Sequence, residues 1–334
     1  MTPGIGSLTF PKLTGTGLAA CLAAGLVHQG YAAVATWRGH SGFERHSTRC
    51  GSGNIITYHL RRGAPDGPVL VCDAGLMSTS TAWLLVADHL DPAVTVVLYD
   101  RAGYRSSLRR CPDAYSLSES VNDLVDVVTV ALGGRRTCVL AGHSLGGYLV
   151  HRAAAAAPEL VEGVVLVDPT HPRELLHSPR QREGARAADM TIRLGPWTTL
   201  FGGGLLLDKR EMFAFARGTA HHRALRLEVS ASATWRAARR EWGHSYAFMI
   251  DGGRPLDRLE IPVSVIAAEQ TLRNSPEHRE LLEEYVSSGT RGEVTTIADA
   301  THFSVVSGTG TAALTAKAIE GMLGDGRQEQ REAA

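Results

Sequence analysis

The chain has 334 residues, 44% of them apolar, and its 34 Lys and Arg residues balance its 34 Asp and Glu residues. A chain of this length can bury a sizeable core, and the length is normal for one large α/β domain with an insertion. The absence of a basic surplus argues against a nucleic-acid-binding protein, because contacts to phosphates need excess positive charge.

The first predicted element is an apolar helix near the N-terminus. Residues Leu13 to Trp37 carry no Asp, Glu, Lys or Arg, but the strongly apolar part, Leu18 to Val27, is short. A membrane-spanning helix needs about 20 predominantly apolar residues. A secretory signal needs a small-residue cleavage site, for which AVA at 33–35 is suitable. Three interpretations stay open: a membrane-associated or anchoring helix, an exported signal, and a soluble helix. Localisation therefore stays open, and 1–50 is interpreted as this helix plus a linker.

From residue 51 onward, apolar runs alternate with amphipathic stretches, which is typical of a mostly parallel sheet flanked by helices. The strands are predicted within 54–60, 67–75, 93–103, 136–144, 161–172, 261–270 and 293–303. The helices between and after them are predicted at 81–90, 116–134, 145–160 and 310–324. The fold class is therefore predicted to be α/β.

Between Pro172 and Pro255 this alternation stops, and the sequence becomes arginine-rich and helical in character. Because the segment falls between two core strands, we predict a helical cap at 173–252 over the C-terminal edge of the sheet. The core is then 51–172 and 253–324, followed by a disordered polar tail at 325–334.

The cap is basic and aromatic in composition. It has thirteen Lys and Arg residues against eight Asp and Glu residues between His171 and Asp251. An amphipathic cap whose aromatic face packs over the site is favoured over a basic lid that approaches an anionic membrane or a phosphate-bearing substrate. The aromatic face indicates an apolar acyl or aryl group in the pocket.

The motif GHSLGG places Ser144 in a G-x-S-x-G pattern with Gly142 and Gly146. This pattern marks a sharp strand-to-helix turn that exposes a serine hydroxyl at a helix N-terminus, and small neighbours are needed because the turn is strained. A predicted strand precedes the motif and a predicted helix follows it, as the motif requires. Ser144 is therefore the candidate nucleophile.

A serine nucleophile needs a base. In proteins with this type of turn the chain order is serine, acid and then the histidine base. His302, in the stretch ADATHFSVV, lies after the last predicted strand and before the closing helix. Its position distinguishes it from the other histidines, and it is the candidate base.

With these motifs the chain resembles the α/β-hydrolase fold family, and within it the capped serine hydrolases of esterase or lipase type. The resemblance covers roughly residues 51–323. It rests on GHSLGG, on YDRAGYRSS at 99–107, on VVLVDPTHP at 164–172 and on THF at 301–303. Many members also carry an apolar N-terminal helix.

The resemblance also implies an oxyanion hole made of backbone N–H groups. The family often has His-Gly after its third strand, where this chain has CDAGLMSTS with Asp73 in place of the histidine. Gly75 matches the family glycine, so the N–H of Leu76 is one expected donor and the N–H of Leu145 is the other. Asp100 and Arg101 are expected to form a structural pair that braces the nearby loop.

The acid departs from the usual family pattern. Family members place an aspartate a few residues past the strand that begins IPV, but here IAAEQTLRN has threonine and leucine at that place. A known variant places the acid immediately after the strand that follows the nucleophile helix, where Asp168 stands. Asp168 is therefore favoured as the residue that orients His302, and Glu269 is the alternative acid.

Three functions stay open at this point. The first is a hydrolase of esters or thioesters, the second an acyl-transfer or cyclising enzyme that uses the same serine, and the third a non-catalytic binding protein. The five scattered cysteines and fourteen dispersed histidines lack the spacing of a metal site or a disulfide framework, so no metal and no cofactor are expected. The expected partner is a small acyl substrate, with membrane association through residues 13–37 and the oligomeric state left open.

Overall fold

The computed structural model describes residues 15–37, 39–134, 137–206 and 213–332. Its centre is an eight-stranded sheet with the strand order β1-β2-β4-β3-β5-β6-β7-β8. The strands are β1 Glu44–Arg49, β2 Ile55–Arg61, β3 Val69–Asp73, β4 Thr95–Asp100, β5 Cys138–His143, β6 Val161–Val167, β7 Val263–Ala268 and β8 Val294–Ile297. Strand β2 pairs antiparallel with β1 and β4, and all other neighbours are parallel. The predicted α/β fold with a mostly parallel sheet is confirmed.

Helices cover both faces of the sheet. One face packs against α3 Leu117–Leu132, α4 Leu145–Ala156 and, farther along the chain, α11 His278–Ser287, and the other against α2 Leu84–His89 and α13 Thr311–Glu332. Successive residues of β3 alternate between the two clusters, with Val71 in one and Leu70 and Cys72 in the other. This is why the central strands read as continuous apolar runs: both of their faces are buried.

Strand β1 corrects the prediction that residues 1–50 hold only a helix and a linker. Its sequence, ERHSTR, pairs antiparallel with β2 in a register that runs from Glu44 opposite Leu60 to Arg49 opposite Ile55. Every side chain of β1 is exposed or half-buried, because it is an edge strand. An edge strand of polar residues carries no apolar signal, so the composition did not reveal it.

Between β6 and β7, the described residues of 174–206 and 213–250 are mostly helical, and they are called the cap segment below. The cap segment contains α5 Glu174–His177, α6 Pro179–Leu200, α7 Gly203–Leu206, α8 His222–Glu228 and α9 Ser232–Ile250. Helices α6 and α9 pack along each other, and Ile192, Val229 and Trp235 form a small apolar cluster between the helices. The remaining α-helices of the described chain are α10 Glu269–Asn274 and α12 Ser304–Ser307, and short 3-10 helices lie at Ser80–Trp83, Pro158–Leu160 and Ala214–Ala216.

The N-terminal helix α1, Gly15–Trp37, packs on the cap segment. The Gln29 side-chain amide donates to the carbonyls of Thr199 and Ser230 at 3.0 and 3.1 Å and accepts the Ser232 N–H at 2.7 Å. His28 Nε2 lies 2.7 Å from the Ser230 hydroxyl. These contacts dock α1 against the protein, and its association with a membrane stays a prediction. Within the described residues, no helix combines the length and the apolarity needed to cross a membrane.

The last helix also departs from the prediction, since α13 continues to Glu332 through the segment 325–332 that was predicted to be disordered. The residues RQEQRE at 327–332 are mostly strong helix formers, and a single glycine costs a helix only about 1 kcal/mol. A helix already anchored in the core therefore extends through Gly324 and Gly326.

Candidate active site

Ser144 occupies a strained turn between β5 and α4. Its backbone has φ 55° and ψ −123°, a conformation that a non-glycine residue adopts only when its surroundings enforce it. A Cβ on Gly142 would lie 2.3 Å from the Gly146 oxygen, and a Cβ on Gly146 would lie 2.5 Å from the Ala74 oxygen. The two motif glycines are therefore required by close backbone packing on either side of the serine.

His302 reaches Ser144 from the loop after β8. Its Nε2 lies 3.0 Å from Ser144 Oγ, and its Nδ1 lies 2.7 Å from Asp168 Oδ2. Burial alone would lower the pKa of His302, but the hydrogen bond and negative charge of Asp168 outweigh it and raise that pKa above the ordinary value of 6.5. With the Nδ1 proton donated to the carboxylate, Nε2 is free to accept the serine proton.

Asp168 follows β6 and is almost fully buried, 2% exposed. Its Oδ1 accepts the Ala268 N–H at 3.0 Å, and its Oδ2 accepts the Thr271 hydroxyl at 2.6 Å as well as His302. Burial alone would raise the pKa of Asp168, but these three donors hold it below its ordinary value. Asp168 is thus an ionised, fully hydrogen-bonded acceptor for His302.

Glu269, the alternative acid, serves a different contact. Its Oε2 accepts the Asp299 N–H at 2.8 Å, and its Oε1 accepts Arg273 at 2.7 Å at the protein surface. The threonine in the segment where the resemblance implied an aspartate is Thr271, and its hydroxyl donates to Asp168 instead. The structure therefore brings Asp168 to His302 and engages Glu269 elsewhere.

The loop after β3, which carries the first predicted oxyanion donor, lies directly against Ser144. A Cβ on Gly75 would lie 3.1 Å from both Ser144 Cβ and His143 Nδ1, so the absence of a side chain permits this approach. Leu76 follows Gly75, and Leu145 is the first residue of α4; both line the cavity beside Ser144. Both residues therefore lie beside Ser144, and the role of their N–H groups as oxyanion donors stays a prediction.

Asp100 and Arg101 brace this region through separate partners and not as a pair. Asp100 Oδ1 accepts the Ser80 N–H at 2.9 Å. Arg101 donates to Asp73 Oδ1 at 2.6 Å and to the Gly75 carbonyl at 2.9 Å. Asp73 is therefore one of the groups that hold Arg101 beside the loop.

His143, the variable residue of the serine motif, is a neighbour that the sequence did not single out. Its Nε2–H donates to the His302 carbonyl at 2.7 Å, and the two rings lie 4.8 Å apart. Burial lowers the pKa of His143 to about 3, and the charge of the nearby His302 adds to this effect, so the His143 ring stays neutral. His143 thereby stabilises the loop that carries His302. Apart from the histidine at this position, no sequence pattern indicates the contact.

A cavity of about 960 Å³ opens above Ser144, between the sheet and the cap segment. Its apolar wall includes Leu76, Leu175, Ile192, Trp235, Trp242 and Met249. Its polar wall includes Glu174, Gln270, Asn274, Ser275 and His278. Burial raises the pKa of Glu174 to about 7, so this carboxyl changes charge near neutral pH.

In the described part of the chain, one group of residues has metal-ligand spacing: Cys50, Asp123 and Asp126. The Asp123 carboxylate already accepts hydrogen bonds from Ser52 and Asn54 at 2.6 and 2.7 Å. Burial raises the pKa of the Cys50 thiol, which disfavours the thiolate that a metal would bind. The group fits a hydrogen-bonded turn better than a metal centre.

Comparisons with known proteins agree with this architecture. Residues 69–314 match the model of a family described as the alpha/beta hydrolase family. RutD of Stutzerimonas stutzeri, named as a carbamate hydrolase, is 30% identical over 107 residues, which are 32% of this chain and 40% of that protein. Lipase LipV of Mycobacterium tuberculosis is 31% identical over 116 residues, 34% of this chain and 42% of that protein. The matches thus span less than half of these curated relatives.

A solved structure extends the likeness over most of the chain. A protein described as an epoxide hydrolase from Pseudomonas aeruginosa has a TM-score of 0.67 at 18% identity, covering 87% of this chain and 98% of that chain. At this identity the likeness shows the fold alone.

Proposed function

The chain belongs to the alpha/beta hydrolase family, and from this premise we propose that it is a serine hydrolase. Its substrate would be an ester or thioester with an apolar acyl or aryl group, cleaved through an acyl-serine intermediate. The observation that supports this most is the hydrogen-bonded series Ser144–His302–Asp168, with distances of 3.0 and 2.7 Å. This series is the arrangement that a serine nucleophile, its base and its orienting acid require.

The chemistry would proceed in two halves. Ser144 Oγ attacks the substrate carbonyl carbon while its proton passes to His302 Nε2, and the N–H groups of Leu76 and Leu145 bind the resulting oxyanion. His302 then gives the proton to the departing alcohol or thiol, which leaves an acyl group on Ser144. A water molecule repeats the sequence, with His302 as base, and releases the acid.

The cavity favours a substrate with a sizeable apolar part. Its volume of about 960 Å³ and its tryptophan-containing wall suit a group of drug-like size with an apolar part. The His302 side chain is 38% exposed, so water can reach the base. Hydrolysis requires this access, so hydrolysis is the reaction proposed and acyl transfer is the alternative that the experiment below tests.

Labelling with a fluorophosphonate probe tests the proposal, because the probe phosphonylates an activated serine. Wild-type protein should be labelled and should hydrolyse short p-nitrophenyl esters. Ser144→Ala should lose labelling and about 10⁶-fold in kcat while its circular dichroism stays unchanged. Absence of labelling in folded wild-type protein would favour a non-catalytic binding protein. Labelling together with acyl transfer to an added alcohol in preference to water would favour the transferase.

A further inference from the structure

Glu241, in the middle of cap helix α9, sends a buried carboxylate into the core. The residue is fully buried, at 0% exposure. Its Oε1 accepts Arg101 Nε at 2.8 Å, while its Oε2 accepts the second Arg101 nitrogen at 2.9 Å and the Tyr104 hydroxyl at 2.8 Å. A buried carboxylate with a bidentate arginine and a tyrosine donor is a rigid anchor, since each partner fixes the geometry of the others.

Both partners of Glu241 also hold the loop that carries Leu76. Arg101 donates to the carbonyls of Ala74 and Gly75, the latter at 2.9 Å. The Tyr104 oxygen accepts the Met77 N–H at 3.1 Å. Leu76 therefore lies between two backbone groups that are held by side chains bound to one cap carboxylate.

We infer that Glu241 is a positioning residue that sets the orientation of the Leu76 N–H. This inference rests on the proposed serine-hydrolase function, because the N–H acts only when an oxyanion forms. Arg101 sits between two carboxylates, Asp73 on the loop side and Glu241 on the cap side. Loss of the cap-side charge would draw the guanidinium toward Asp73 and free the Tyr104 hydroxyl, so the loop would lose its fixed geometry.

The same arrangement gives Asp73 a structural role beside Arg101. Asp73 and Glu241 both accept hydrogen bonds from Arg101, which is 4% exposed. The loop is thus oriented from the core and from the cap at once. Seating of the cap segment is coupled to the hole that stabilises the transition state.

The chain offers a matched control in Glu228, at the end of helix α8. Glu228 is also a buried cap carboxylate, 4% exposed, and it accepts the hydroxyls of Thr79 and Thr81, each at 2.6 Å, and pairs with Arg105. It therefore joins the cap to the core in the same chemical way. Its partners lie beyond the Gly75–Met77 stretch, so its loss should loosen the cap without moving the Leu76 N–H directly.

The experiment compares Glu241→Gln and Glu228→Gln with wild type in p-nitrophenyl ester hydrolysis and in inhibition by a trifluoromethyl ketone. The ketone forms a tetrahedral adduct with the serine, and its oxyanion occupies the hole. Removal of one oxyanion donor costs about 10²–10³-fold in kcat, so displacement of one donor in Glu241→Gln should cost about 10–100-fold. KM should change by less than about three-fold, and the inhibition constant should weaken in parallel with kcat/KM. Glu228→Gln should keep kcat within about three-fold of wild type.

Equal losses of kcat in the two variants, or a rise in KM at unchanged kcat for Glu241→Gln, would overturn the inference and leave Glu241 as a cap anchor. If Glu241→Gln does not fold, Tyr104→Phe replaces it, since this change removes only the hydroxyl that joins Met77 to Glu241. The same selective loss of kcat is then expected, and unaltered kinetics would count against the role. Failure of wild type to react with ester and ketone would instead reject the proposed function itself.

Discussion

Replacement of Asp168 by asparagine probes the orientation of the proposed base most directly. An asparagine can keep the shape of the site, but it presents one oxygen and one amide nitrogen where the aspartate presents two acceptors. The outcome depends on which way the new amide turns. In the wild type the Ala268 N–H donates to Asp168 Oδ1 at 3.0 Å. In the first orientation the asparagine oxygen faces His302, so its NH₂ group faces this N–H. That arrangement leaves a buried donor unpaired, at a cost of about 1–3 kcal/mol.

In the second orientation the oxygen keeps the Ala268 N–H, and the NH₂ faces His302 and the Thr271 hydroxyl. The hydroxyl can rotate to accept, and His302 Nδ1 can accept if its proton moves to Nε2. Every buried group is then paired, so this orientation should dominate. The histidine is held in the tautomer whose Nε2–H points at Ser144 and cannot take the serine proton. The expected loss in kcat is about 10⁴-fold, or roughly 5 kcal/mol, as for the wrong tautomer in a serine-protease triad.

The assay is steady-state hydrolysis of a p-nitrophenyl ester by Asp168→Asn, with Glu269→Gln as the control. Glu269 binds Arg273 and the Asp299 N–H at the surface. Its glutamine variant should keep kcat within about three-fold of wild type. A crippled Glu269→Gln together with an active Asp168→Asn would refute the reasoning and make Asp168 a structural turn residue.

Three further predictions concern pH and the N-terminal helix. Because His302 must be neutral to act and Asp168 raises its pKa above 6.5, kcat/KM should rise with pH through an apparent pKa above 6.5; a limb at or below that value would contradict the pairing. The pKa of Glu174 is raised from 4.5 to about 7, so ionising it lowers the free energy of unfolding as pH rises through that window. Glu174→Gln should therefore raise the free energy of unfolding by on the order of 1 kcal/mol at pH 8 and by little at pH 4, as measured by urea unfolding. Equal gains at the two pH values would contradict this assignment of the raised pKa to Glu174. Deletion of residues 1–38 should leave the sheet folded, as judged by circular dichroism, but should lower ester turnover because α1 supports the cap segment. Unchanged turnover would show that the cap segment keeps its position without α1.

Much of the core was predictable because its constraints are local. A strand buried on both faces must be apolar throughout, and a strained turn around a serine must be flanked by small residues. For this reason β5, Ser144 and α4 could be located from the amino-acid sequence alone. The polar edge strand β1 has no such requirement. Its residues satisfy the sheet through backbone hydrogen bonds, which any sequence can supply.

The polar interior was harder to predict. Asp168 and Glu269 each follow the last residue of a strand, and only the three-dimensional path of the loops decides which carboxylate meets His302. Glu228 and Glu241 resemble ordinary solvated acids in an arginine-rich helical segment. Their burial depends on Arg101 and Arg105, which lie more than a hundred residues earlier in the chain, and no local pattern records such a pairing.

The two buried glutamates of the cap segment have a consequence for protein engineering. A chimera that grafts the cap of a relative onto this core would succeed only if the donor cap supplied acids opposite Arg101 and Arg105. Without these acids each buried arginine would keep only its core carboxylate, Asp73 for Arg101 and Asp100 for Arg105, and would lose its link to the cap. Core and cap segment therefore have to be exchanged together. Library designs that diversify the cap segment should keep Arg101, Arg105, Glu228 and Glu241 unchanged.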